Sequence, residues 1–62
     1  MSNRPFKTWN AAHGGSVIIN AWQIATVKAI SEDLIKVIFS NGGSEDIKAR
    51  LSDFQTWVTG ID

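Results

Sequence analysis

The segment Leu34-Ile35-Lys36-Val37-Ile38-Phe39, followed closely by Asn41-Gly42, constrains the fold more than any other part of the chain. Branching at Cβ favours the pleated conformation, and a six-residue apolar run has the length of a strand. Asn-Gly tolerates positive φ at both positions, as a type I′ hairpin turn requires. The spacing therefore predicts a hairpin, with a strand over 34–39 and a return strand over 44–49. Period-two alternation places Ile35, Val37 and Phe39 on one face and Leu34, Lys36 and Ile38 on the other. On the return strand, Ile47 and Ala49 share one face, and Asp46, Lys48 and Arg50 the other.

Upstream, Met1 to Pro5 is polar and reads as a flexible lead-in. Phe6-Lys7-Thr8-Trp9 alternates and predicts a short strand. Asn10 to Ser16 holds His13-Gly14-Gly15, a turn or longer hairpin loop. Val17-Ile18-Ile19 is β-branched without alternation, which suits a strand buried on both sides, and Asn20 ends it. Ala21-Trp22-Gln23 suits a single helical turn. Ile24 to Ile30 predicts a third strand with an irregular start, because Ile24 and Val27 are three apart. Ser31-Glu32-Asp33 then turns the chain.

After the hairpin the period changes. Ser52 is placed to cap a helix over 52–59, with Gln55 as the reciprocal cap and Asp53 favoured by the helix dipole. Phe54, Trp57 and Val58 form one apolar stripe, and Gly60 is a stop. A helix of about two turns does not stand alone, so its stripe must dock on the sheet. The expected fold is mainly β: one domain over 1–62, an antiparallel five-strand meander able to curl towards a barrel, and one short C-terminal helix.

At 62 residues the chain buries little of its surface; domains of this size hide only about 60% of what the unfolded chain exposes. Cysteine is absent and His13 is the sole histidine, so disulfides and thiolate or histidine-built zinc sites are excluded. Packing, self-association or a partner must supply the remaining stability. Six Lys/Arg balance six Asp/Glu, which removes both long-range attraction to polyanions and repulsion between copies. No apolar run approaches the roughly 20 residues of a membrane span, and the N-terminus lacks the apolar core of a signal peptide. A cytoplasmic protein is expected.

An enzyme is not expected. His13 could serve as a general base, but nothing in the sequence supplies an orienting partner or a pocket. Glu32-Asp33 and Glu45-Asp46 are adjacent pairs whose side chains diverge, which suits turns and edge protection. His13-Gly14-Gly15-Ser16 lacks the spaced glycines and the Lys-Ser/Thr of a phosphate loop. No cofactor is implied.

Two surfaces remain. Lys28, Lys36, Lys48 and Arg50 share the outward parity of three strands, a ribbon that could hold single-stranded nucleic acid. Ile30, Leu34, Ile38 and Asp46 share that face and no aromatic interleaves it, so a solvated or partner-facing strip is the alternative reading. The second signal is three tryptophans. Trp57 is the expected core member; Trp9 and Trp22 could each be core as well, the default for an aromatic, or contact residues of a type enriched at binding hot spots. Leu34 and Ile38 require a cover on the face opposite the helix, which a curled sheet, a dimer or a partner protein would each provide.

The order Phe6-Lys7-Thr8, Gly15, Val17-Ile18-Ile19-Asn20, Ile24, Val27, Ile35-x-Val37, Asn41-Gly42 and Ile47 resembles the flagellar FlbD-type small proteins over residues 6–58. The chain departs from their pattern in its extra N-terminal residues, its longer first loop and the position of Trp22. The resemblance implies the fold and carries over no catalytic residue. The resulting expectation is a small, non-catalytic protein-interaction module, able to self-associate. Its contact residues are Trp9, Trp22, Leu34, Lys36 and Ile38, with Trp22 as anchor, Lys36 as charged rim and Ile38 as apolar floor. A nucleic-acid module using the lysine ribbon is the second expectation. A phage or mobile-element inhibitor of a host protein, suggested by size alone, is the third.

Overall fold

A computed structural model describes residues 3–61. The fold is mainly β, with five antiparallel strands in two sheets and one C-terminal helix. The strands are β1 (Phe6–Asn10), β2 (Ser16–Asn20), β3 (Ile24–Ser31), β4 (Leu34–Phe39) and β5 (Ser44–Ile47). The helix is α1 (Leu51–Thr59), and Ala21–Gln23 form one 3-10 turn between β2 and β3.

The strands do not form one uninterrupted meander. β1 pairs with β2, and β3-β4-β5 form a second sheet. The break falls at the 3-10 turn, where the Asn20 side chain accepts from the Trp22 N–H at 3.1 Å and turns the chain out of pairing. At the other end the sheets meet. Ala11 bridges Ile47, the Ala12 N–H donates to the Asp46 carbonyl at 2.8 Å, and the Lys48 N–H donates to the Asn10 carbonyl at 2.9 Å. The arrangement is curled but not closed into a barrel: β2 and β3 are left as its outermost strands.

Between the sheets and α1 lies one core of Ile19, Ile35, Val37, Ile47, Phe54 and Trp57. The helix stripe docks as its period requires, with Phe54 and Trp57 buried and Val58 half-buried. Trp9 joins them, its ring centroid 4.9 Å from Phe54 and 5.6 Å from Trp57, within the range of favourable aromatic pairs.

Several local expectations are corrected. The β4–β5 connection is not a type I′ turn, because Asn41 keeps a negative φ and only Gly42 is positive, at 95°. The Gly42 N–H donates to the Phe39 carbonyl and the Phe39 N–H to the Gly43 carbonyl, which makes a three-residue loop ending in a bulged glycine. Asn41 instead uses its side chain, which accepts from the Gly43 N–H at 2.9 Å. β5 stops at Ile47 rather than 49, because Lys48 turns its N–H to β1 and the Ala49 N–H closes back on the Ile47 carbonyl. Ser52 is not the helix cap. The helix starts one residue earlier, with Arg50 at the cap position and no side-chain capping bond. Val17-Ile18-Ile19 is buried on one side only, with Ile19 in the core and Ile18 outside.

The lead-in is also more ordered than its composition suggests. Asn3 pairs with Ile61, its side-chain amide donates to the Trp57 carbonyl at 3.0 Å, and the Arg4 carbonyl accepts from the Trp57 indole at 2.9 Å. Met1 and Ser2, also expected to be flexible, lie outside the described residues.

Candidate functional site

The strand registers decide which of the candidate residues meet. In β3-β4-β5, Lys28, Lys36 and Asp46 lie side by side in one row across the outer face. Thr26, Ile38 and Ser44 form the next row. Leu34 sits at the far end, opposite Ser31. Leu34, Lys36 and Ile38 are thus brought together as expected, and all three are half-buried. Neither Leu34 nor Ile38 belongs to the core cluster. Ile30, unpaired at the register shift between Ala29 and Ser31, is 51% exposed.

The lysine ribbon is only partly assembled. Lys28 and Lys36 are cross-strand neighbours, an arrangement that costs stability because like charges face each other. Asp46 continues that row and interrupts the positive charge. Lys48 lies beyond the end of β5. Arg50 is drawn off to the helix start, where its Nε pairs with the Asp33 carboxylate at 3.3 Å.

The tryptophans separate into two environments. Trp9 does not present its ring as a contact residue. Its strand parity puts it with Lys7 on the inner side of β1, against Phe54 and Trp57, and the Lys7 ammonium lies 4.5 Å over its ring. Its indole nitrogen is buried with no hydrogen-bond partner among the described residues. Trp22 is the opposite case. It rides on the 3-10 turn with 66% of its surface exposed.

Two exposed residues near Trp22 escaped the sequence reading. Phe6 is 56% exposed and Ile18 is 70% exposed. Phe6 pairs with Asn20 and Thr8 with Ile18, so Phe6 and Ile18 are diagonal neighbours on the outer face of β1–β2. The Ala21 N–H donates to the Pro5 carbonyl at 2.8 Å, which holds the base of the Trp22 turn beside Phe6. The available signal was the parity of Phe6-Lys7-Thr8-Trp9: once Trp9 faces the core, Phe6 and everything opposite it must face out.

A third feature is an apolar groove of about 320 Å³ between β3 and α1, lined by Ile24, Val27, Leu51, Phe54 and Val58, with Gln55 and Thr59 completing it. It contains no titratable side chain. Among the described residues, no cluster of three or more His, Cys, Asp or Glu is placed to hold a metal ion. None of the described helices is long and apolar enough to cross a membrane.

No protein-family model, curated protein or solved structure matches the chain.

Proposed function

We propose that the chain is a small, non-catalytic protein-interaction module, acting in the cytoplasm, with Trp22 as its anchor. The observation that carries this reading is the exposure of Trp22, Ile18 and Phe6 on ordered elements around one end of the β1–β2 pair. Large apolar side chains held outward by strand register and a hydrogen-bonded turn cannot collapse onto the core, and exposed apolar surface of this kind suits an interaction site. Tryptophan adds area at low entropic cost, which is why it anchors interfaces. The half-buried Leu34, Lys36 and Ile38 lie on a different face and form a secondary surface in this reading.

The test is affinity capture with the tagged chain and two variants. Retention of a protein by the wild type and by Lys28→Ala, with loss by Trp22→Ala, is the expected result. Capture that is indifferent to Trp22 overturns the reading.

One observation favours a second reading. Lys28 and Lys36 face each other without an ion-pair partner within 4 Å among the described residues. Neutralisation by phosphates would relieve their repulsion. Oligonucleotide binding that weakens with salt and with Lys28→Ala or Lys36→Ala would establish a nucleic-acid module instead.

A further inference from the structure

We infer that the outer edge of β2 pairs with the same edge of a second copy of this chain, joining two β1–β2 pairs into one four-stranded antiparallel sheet. The inference rests on the protein-interaction reading and names its partner.

Backbone hydrogen bonds fix which groups of β2 face away from β1. At one end of the β1–β2 ladder the Ala21 N–H donates to the Pro5 carbonyl, and at the other the Ala11 N–H donates to the Gly15 carbonyl. Both pairs continue the register of Phe6 opposite Asn20 and Asn10 opposite Ser16. Bonded and non-bonded pairs alternate along an antiparallel ladder. Lys7 with Ile19 and Trp9 with Val17 are therefore the bonded pairs. Ser16, Ile18 and Asn20 turn their N–H and C=O groups away from β1. The same alternation directs the groups of Asn10 to the far side of β1, where its carbonyl does accept from Lys48.

The edge is built to receive a strand. Its register runs without a shift from end to end. The sequence Ser16-Val17-Ile18-Ile19-Asn20 holds no charge and no proline, the two residue types that normally blunt an edge. Among the described residues no strand pairs with it.

A second copy is the occupant because the edge is complementary to itself. A two-fold axis through Ile18 sets Ile18 against Ile18 of the second copy through both outward-facing backbone groups, and Ser16 against Asn20 through the Asn20 N–H, since the Asn20 carbonyl caps the 3-10 turn. This is the isologous geometry of a closed dimer. No like charges meet, and the chain carries no net charge to oppose association. On the outer face the two Ile18 side chains become neighbours, flanked by Phe6 of each copy. The shared edge is short, so the dimer is weak and concentration-dependent, as small interfaces are.

The test is sedimentation of the full chain over a concentration series, paired with amide hydrogen exchange. The expected species is twice the 6.8 kDa monomer at high concentration. The Ser16, Ile18 and Asn20 amides should gain protection with concentration. Ile18→Lys places two ammonium groups face to face and should weaken the dimer by more than about tenfold. Its circular dichroism should stay native, because Ile18 is 70% exposed in the single chain. Lys28→Ala, at the other edge, should leave the dimer intact. A chain that stays monomeric up to about 1 mM, beyond the affinity of even weak specific contacts, overturns the inference. So does a dimer untouched by Ile18→Lys. Neither result touches the interaction reading, which falls only if capture is independent of Trp22.

Discussion

The two outermost strands, β2 and β3, solve the same problem differently. Each ends a sheet and offers backbone groups to any extended chain. β3 is the longer, yet it is defended: its register slips between Ile24 and Thr26 and again between Ala29 and Ser31, and Lys28 stands mid-strand. Bulges twist an edge away from a flat partner, and a buried lysine would have to be desolvated. β2 has neither device. Protection of an edge is thus written strand by strand, and the strand left without it carries the most exposed of the large apolar side chains, Ile18.

Both edges hang from one core, and the largest expected effect tests that link. Phe54 touches Trp9 of β1 and lines the groove with Ile24 and Val27 of β3. Phe54→Ala should cost about 3–5 kcal/mol, as large aromatic deletions do. That is enough to unfold most of a domain this small, in a single thermal transition followed by circular dichroism. Two separate transitions would mean that the sheets are independent and that their edges share no scaffold.

A smaller effect belongs to the β4–β5 hairpin, which sets the register behind β3. Gly42→Ala places a Cβ on a residue at φ 95°, a conformation that costs L-residues about 1–2 kcal/mol. A fall in melting temperature of about 4–8 °C per kcal/mol is expected. The β2-edge amides should exchange as before, since the perturbation lies in the other sheet.

Exchanging the defence sharpens the contrast further. Lys28→Val removes the like-charge pair with Lys36 and should stabilise the chain by about 0.2–1 kcal/mol, the usual scale of cross-strand pairs. It should also strip β3 of its gatekeeper, giving a second mode of self-association that Ile18→Lys does not abolish. Light scattering of the double variant measures it; a monomeric double variant would show that the bulges suffice alone. The smallest effect is expected for Arg50→Ala. Its contact with Asp33 joins side chains 61% and 76% exposed, and such pairs are worth at most about 1 kcal/mol, falling with salt. Urea melts at low and high salt should differ little between this variant and the wild type.

Most elements were legible because their causes are local. β-branched runs and period-two alternation located the strands, and the Phe54, Trp57 and Val58 stripe located the helix to within a residue of its start. The candidate surfaces were legible only in part. Leu34, Lys36 and Ile38 share a face because strand geometry alone makes them do so. Trp9 and Trp22 could not be separated, because Phe6-x-Thr8 and Lys7-x-Trp9 each offer one aromatic and one polar residue. Either face of β1 could have turned inward on that pattern.

Chain-local chemistry, then, determined where this protein is extended, where it turns and where it coils, since backbone preference and side-chain period act over a few residues. Tertiary structure alone decided that Trp9 meets Phe54 and Trp57, that Asn3 ties to the helix end, that Arg50 leaves the lysines for Asp33, and that Ile18 faces out from an unguarded edge. Each of those outcomes depends on contacts between residues far apart in the chain, and no local preference encodes which of two similar faces the core will take.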